Sequence, residues 1–210
     1  MARLEGRTMP PQQYPADIDT ESGCRLPLPR REELSVEGQV IYDRLTSTNG
    51  ENLRGLRGPG GIQLHSPELS KRSRPVNHYL RFEAGLGART RELAILTTAR
   101  ELDSQFEWAA HEAEARREGI ADDLIDIVRY RRALDGVDEA DAAVVALGRE
   151  IFGARKVSSE TYRDCLAQFG CRKLVDLVAL MGNYAATAAL LTAFDMQLDP
   201  GTEPGLPSLF

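Results

Sequence analysis

Thiols and aromatic rings are scarce in this chain, and their scarcity excludes several chemistries. Its 210 residues include three cysteines, Cys24, Cys165 and Cys171, with three histidines and one tryptophan. An odd cysteine count without short paired spacings supports neither a disulfide framework nor a zinc site. No metal is therefore expected, Cys165 and Cys171 read as small core residues, and a reducing cytoplasm is the expected location. No CxxC, HExxH or GxSxG segment occurs, which removes the dithiol, zinc-protease and serine-hydrolase signatures. The opening MARLEGRTMPPQQYPADID lacks the apolar stretch of a signal peptide. Positive charge is also short. Lys+Arg number 26 against 32 Asp+Glu, a net charge of -6, so no nucleic-acid partner is expected. The cluster Arg129, Arg131 and Arg132 is flanked by acids and reads as a solvated helix end.

Long apolar runs are nearly absent. The one candidate, LVALMGNYAATAALLTAF from Leu177 to Phe194, has 18 residues without a charge, which only just reaches spanning length. Gly182, Asn183, Tyr184, Thr187 and Thr192 interrupt it, and no basic cluster flanks it closely. A helix buried in the core or between subunits is the expectation, with no membrane partner.

What is present is helical periodicity, in a chain 42% hydrophobic and 28% charged. Residues 1–30 are rich in proline and polar groups and read as an extended arm. Residues 31–199 form one all-α domain, and 200–210 a tail of the same unpacked character as the arm. Within the domain a first helix is expected near 31–47, followed by the Gly-rich loop TNGENLRGLRGPGGIQLH. That loop has no GxxxxGK[ST] pattern and no preceding strand, so a phosphate cradle is not expected. Ser66-Pro67-Glu68 starts a helix that Pro75 interrupts, and a second piece carries VNHYLRFEAGL to Gly85 and Gly87. Further helices are expected near 90–102, 105–118 (ending at Gly119), through LIDIVRY, from Asp138, from Ser159 as cap, and over 172–197. About eight helices with short links make a bundle.

The chemistry concentrates in ELDSQFEWAAHEAEARREGI, residues 101–120. Glu107 and His111 are four apart and share a helix face. A carboxylate beside an imidazole can orient the ring and favour its protonated form, as general acid–base catalysis requires. Glu92, near the start of the preceding helix, is the third candidate. Ser104-Gln105-Phe106-Glu107 equally fits a capping box, S-x-x-E, with His111 a bystander. Spacing leaves both readings open. His65, just before Ser66-Pro67, is a candidate pocket residue; His78 is a weaker one. Trp108 either walls the pocket or packs in the core.

The segments RTRELAILTTAR, FEWAAHEAEARREGI and MGNYAATAALLTAF, with LHSPELSKR before them, resemble the carboxymuconolactone decarboxylase family, which includes the alkylhydroperoxidase D proteins. The likeness covers roughly residues 59–198. It implies an alkylhydroperoxidase D-like helical bundle, a homo-oligomer (a trimer or a hexamer of trimers), a small-molecule substrate, no cofactor, and a place in aromatic catabolism. The peroxidase branch carries CxxCxxxH with an upstream glutamate. Ser104 and Glu107 stand here at the two cysteine positions, His111 at the histidine and Glu92 at the glutamate. A thiol peroxidase needs a nucleophilic and a resolving thiol, so that branch is disfavoured. The resemblance then implies a decarboxylase-like acid–base lyase or isomerase acting on a small carboxylated or lactone metabolite. His111 would be the acid, Glu107 would orient it and Glu92 would complete a relay, with His65 and Trp108 binding substrate. A non-catalytic oligomeric binding protein of the same fold is the other alternative.

Overall fold

In a computed structural model, residues 14–47 and 55–208 are described. Eight α-helices and no strand occur among them: α1 Val36–Thr46, α2 Pro59–Leu64, α3 Pro67–His78, α4 Ala88–Glu101, α5 Gln105–Arg117, α6 Asp122–Arg129, α7 Glu139–Gly148 and α8 Ser159–Ala193. The fold is an all-α helical bundle, consistent with the alkylhydroperoxidase D-like bundle that the resemblance implies.

α4 is the central element. From Glu92 to Arg100 every residue is buried, because α4 packs on α5, α7 and α8 at once. Leu93, Ile95, Leu96, Trp108, Leu177 and Met181 form the heart of the main core. At Gly148 a Cβ would lie 2.6 Å from Thr97 Cγ2, so the missing side chain is what lets α7 approach α4 so closely. α8 is broken at Gly170, whose φ of 68° and ψ of 168° belong to a region only glycine populates readily. This break separates the two helices that the sequence pattern distinguishes.

α8 is long and apolar enough to cross a membrane by length and composition, and half of its most apolar window is buried inside the chain. Leu174, Leu177, Leu180 and Met181 face the core, while Val175 and Val178 stay exposed.

Several local expectations are corrected. The first helix is split: a 3-10 turn, Arg31–Glu33, precedes α1, whose cap is Ser35. Part of the Gly-rich stretch, Pro59–Leu64, is helical, and its residues 48–54 lie outside the described residues. Pro75 stays inside α3, and the piece after it is a π turn, Tyr79–Glu83, closed by Ala84 N–H donating to the Tyr79 carbonyl at 2.8 Å. A second π turn, Arg149–Ala154, takes up Ile151 and Phe152 at the end of α7. The cap of α8 is Ser158, not Ser159: its hydroxyl accepts from Thr161 N–H at 3.1 Å. α8 also stops at Ala193 rather than near 197. Cys171 is exposed, whereas Cys24 and Cys165 are buried.

The arm and tail are irregular yet packed, against expectation. Residues 1–13 and 209–210 lie outside the described residues. In the rest of the arm, Ile18 and Cys24 are buried, Arg25 N–H donates to the Phe194 carbonyl and Gln197 N–H to the Gly23 carbonyl, each at 2.8 Å. In the tail, Leu206 is buried and the Gln105 amide pairs with its backbone in both directions, at 2.8 and 3.0 Å.

Candidate active site

The α4–α5 hairpin builds the site. Its link holds Asp103 at φ 51° and turns the chain back within three residues. Counting from that turn at about 1.5 Å per residue, Glu92 lies roughly 15 Å down α4 and His111 roughly 11 Å down α5. Antiparallel packing therefore sets those two nearly level, while Glu107 sits a turn closer to the link. The contacts agree. His111 Nδ1 is 2.7 Å from Glu92 Oε2, whereas His111 Nε2 is 3.7 Å from Glu107 Oε2, beyond hydrogen-bond range. Glu92, not Glu107, orients the ring. All three side chains are buried.

Glu92 is held on its other oxygen as well. Arg91 Nε donates to Oε1 at 3.0 Å, and the same guanidinium donates through NH1 to the Arg81 carbonyl in the first π turn, at 2.9 Å. Burial pushes the Glu92 carboxyl up, but the hydrogen bond and charge of His111, then those of Arg91, outweigh it and leave its pKa below the ordinary value. Glu92 is thus an ionised buried carboxylate with both oxygens engaged, as such a group requires.

The capping box does not form in the expected way: the Ser104 side chain makes no cap bond to α5, and its N–H donates to the Ala99 carbonyl at 2.8 Å. Glu107 instead lines a cavity of about 160 Å³ together with His111, Tyr184, Arg81 and Phe106. A buried trio with no adjoining space would suit a purely structural role; here Glu107 and His111 both line the space. Among the described residues no group of three or more His, Cys, Asp or Glu is arranged to hold a metal ion.

Tyr184, from α8, meets the His111 ring edge-on, with centroids 5.3 Å apart at 85°. Burial pushes its phenol well above the ordinary 10.0, Arg81 opposing and Glu107 and Glu92 reinforcing the rise. The shift favours the protonated hydroxyl, which can donate a hydrogen bond. In the sequence Tyr184 and Asn183 stand out only as polar breaks in an apolar helix. Nothing there marks the way they line the cavity.

The remaining candidates are dispersed. His65 Nε2 lies 2.9 Å from the Pro27 carbonyl, beside the arm, and it does not line the cavity. Trp108 is fully buried and its Nε1 donates to Glu112 at 2.8 Å, so it packs in the core and does not line the cavity. His78 does line it, 3.2 Å from Glu83. Cys165 is far from being a thiolate. Burial first, then Asp164 and Glu150, push it up to about 11, and its Sγ donates to the Ala143 carbonyl at 3.4 Å.

Residues 67–149 match the model of the carboxymuconolactone decarboxylase family. That span is similar to the family's domain. No curated protein matches it. The matched span runs from α3 through α7 and holds Glu92, Glu107 and His111. Arg81 and Arg91 fall inside it as well. Tyr184 and Asn183 lie beyond it on α8, so the matched span supplies the charged groups of the cavity and the C-terminal helix supplies its phenol and amide.

Proposed function

We propose that this protein is a cofactor-independent lyase or isomerase that acts by general acid–base chemistry on a small carboxylated or lactone metabolite. One observation carries the reading. His111 is fixed through Nδ1 by the ionised Glu92, which leaves Nε2 to exchange a proton beside Glu107 and the cavity. That is the geometry of a positioned acid–base group with its orienting carboxylate.

On a carboxylated lactone, the bond from the ring carbon to the carboxylate breaks, carbon dioxide leaves, and the electron pair flows into the lactone carbonyl as a dienolate. The Tyr184 hydroxyl donates a hydrogen bond to that oxygen, where negative charge develops. His111 delivers a proton from Nε2 to carbon, and water returns one to the ring, with Glu107 as the adjacent relay. In an isomerisation the same groups take a proton from one carbon and return it to another.

The protein is also proposed to act as a homo-oligomer, trimeric or hexameric, in the cytoplasm. Exposed Tyr79, Phe82, Val175 and Val178 on neighbouring elements support a covered face.

The test is turnover of a panel of ring lactones and ring carboxylates in deuterated water. His111→Gln is expected to lower kcat by about 10²–10⁴-fold with unchanged helicity, and wild-type product should carry deuterium at carbon. Wild-type rates in His111→Gln would overturn the assignment.

A further inference from the structure

The mechanism leaves one wall of the cavity unused, the wall formed by α3 and the π turn Tyr79–Glu83. Arg81 sits there, partly buried. Its Nε is enclosed and has no hydrogen-bond partner among the described residues. Its guanidinium carbon lies 4.9 Å from the centroid of the Phe82 ring. No carboxylate of the described residues pairs with it, whereas Arg91 pairs with Glu92, Arg89 with Asp141, and Arg129 with Glu112 and Asp126. An enclosed guanidinium N–H without an acceptor is costly unless something returns the lost hydrogen bond.

The π turn explains how Arg81 reaches this place. One extra residue in a turn rotates the side chains beyond it by about 100° around the helix axis, and π turns recur at functional sites for that reason. Two contacts hold the turn. The Tyr79 hydroxyl donates to Asp176 on α8 at 3.2 Å, and Arg91 donates to the Arg81 carbonyl. Arg81 is therefore positioned by the same residue that holds Glu92.

Resting on the reading of this cavity as the substrate site, we propose that Arg81 is its anion anchor. The ligand is a single-ring carboxylic acid whose carboxylate sits on the Arg81 fork and whose ring faces His111 Nε2 and the Tyr184 hydroxyl. A planar guanidinium matches a planar carboxylate with two parallel hydrogen bonds. The volume sets the size of the rest: about 160 Å³ is close to the roughly 150 Å³ cavity that accepts a benzene ring. The carboxylate on Arg81 is a handle that persists in the product. Pairing stabilises its charge in the ground state and so opposes its loss as carbon dioxide. Any carboxylate that leaves must be a different one.

Because the handle is unreactive, benzoate is the probe, with benzamide as its neutral twin and inorganic phosphate as the rival anion, titrated calorimetrically into the full chain. Benzoate is expected to bind at least about tenfold tighter than benzamide or phosphate. Arg81→Gln should weaken benzoate by about 10- to 100-fold and leave benzamide unchanged. Arg81→Lys, which keeps the charge and loses the fork, should fall between. Equal binding of benzoate by Arg81→Gln and wild type, no preference over benzamide, or no benzoate binding by wild type would each overturn the anchor. Phosphate binding as tight as benzoate would overturn the carboxylate assignment. The two proposals fail separately. Benzoate binding through Arg81 with no turnover of any ring lactone or carboxylate would sink the acid–base reaction alone. Turnover whose KM is untouched by Arg81→Gln would sink the anchor alone.

Discussion

Side-chain chemistry here rests on how Glu92 divides its two oxygens. One holds the His111 ring and the other is neutralised by Arg91. A carboxylate shared in this way orients the imidazole without being its sole counter-ion. The arrangement has a pH consequence. Because the carboxyl is held below its ordinary 4.5 in the folded chain, it stabilises the fold above pH 4.5, and that stability is lost as pH falls through the depressed folded value. Arg91→Met removes one lowering influence and brings the folded value closer to the unfolded one. The fall in Tm on acidification below pH 4.5 should then be shallower in the variant than in wild type, measured by circular dichroism melts across that range. An identical pH profile would mean that Arg91 does not set the charge of Glu92. Neither half of this could be read from RTREL alone. Adjacent residues on a helix usually point apart, and only the curl of the Arg91 side chain brings its Nε back to Glu92.

Among the elements, the close crossing of α4 and α7 is the most exacting contact. Thr97 is buried, and its Oγ1 is committed to the Leu93 carbonyl at 2.8 Å, so its methyl cannot swing away from Gly148 at no cost. Gly148→Ala should destabilise the chain by about 1–3 kcal/mol, as overpacking of a well-filled core does, read as a Tm lowered by roughly 2–4 °C per kcal/mol. A Tm equal to wild type would mean that the crossing has room for a methyl group. The elements themselves were largely readable in the sequence. Proline, glycine and capping residues mark local backbone choices, and the apolar 3.6-residue period marks a buried face. The π turn was not readable, because VNHYLRFEAGL has the composition of an ordinary helix. Its extra residue is accommodated by contacts with α8, distant in sequence, and with Arg91 in the next helix. The π turn at the end of α7 escaped notice for the same reason.

The whole molecule closes on itself through its two irregular ends. The tail strap inserts Leu206 into the core beside Trp108, and Arg100, almost fully buried, donates to the Pro207 carbonyl at 2.8 Å. A Cβ on Gly205 would meet Trp108 at 2.7 Å, so the strap lies flat on the indole. Leu206→Ala should cost about 2 kcal/mol or more, in the range of buried leucine truncations, and lower Tm accordingly in a thermal melt. A neutral substitution would show that the strap is held by its backbone bonds to Gln105 alone. Proline- and glycine-rich ends are correctly read as irregular, but irregular is not the same as unpacked. A loop with one buried leucine and a matched amide can dock as firmly as a helix turn.

By itself, the sequence determined the helical class, the positions of most helices, and the choice of Glu92, Glu107 and His111 as the candidate residues for the chemistry. These depend on short-range periodicity, local caps and recognisable side chains. The tertiary structure decided what the trio does relative to its surroundings. The register of the α4–α5 hairpin gave the ring to Glu92 rather than Glu107, α8 brought Tyr184 edge-on to the imidazole, and the π turn set Arg81 in the cavity lining. It also moved His65 to the arm and Trp108 into the core. Each of those outcomes turns on packing between separate elements, where a shift of one residue rotates a side chain by about 100°, and composition carries no record of that rotation.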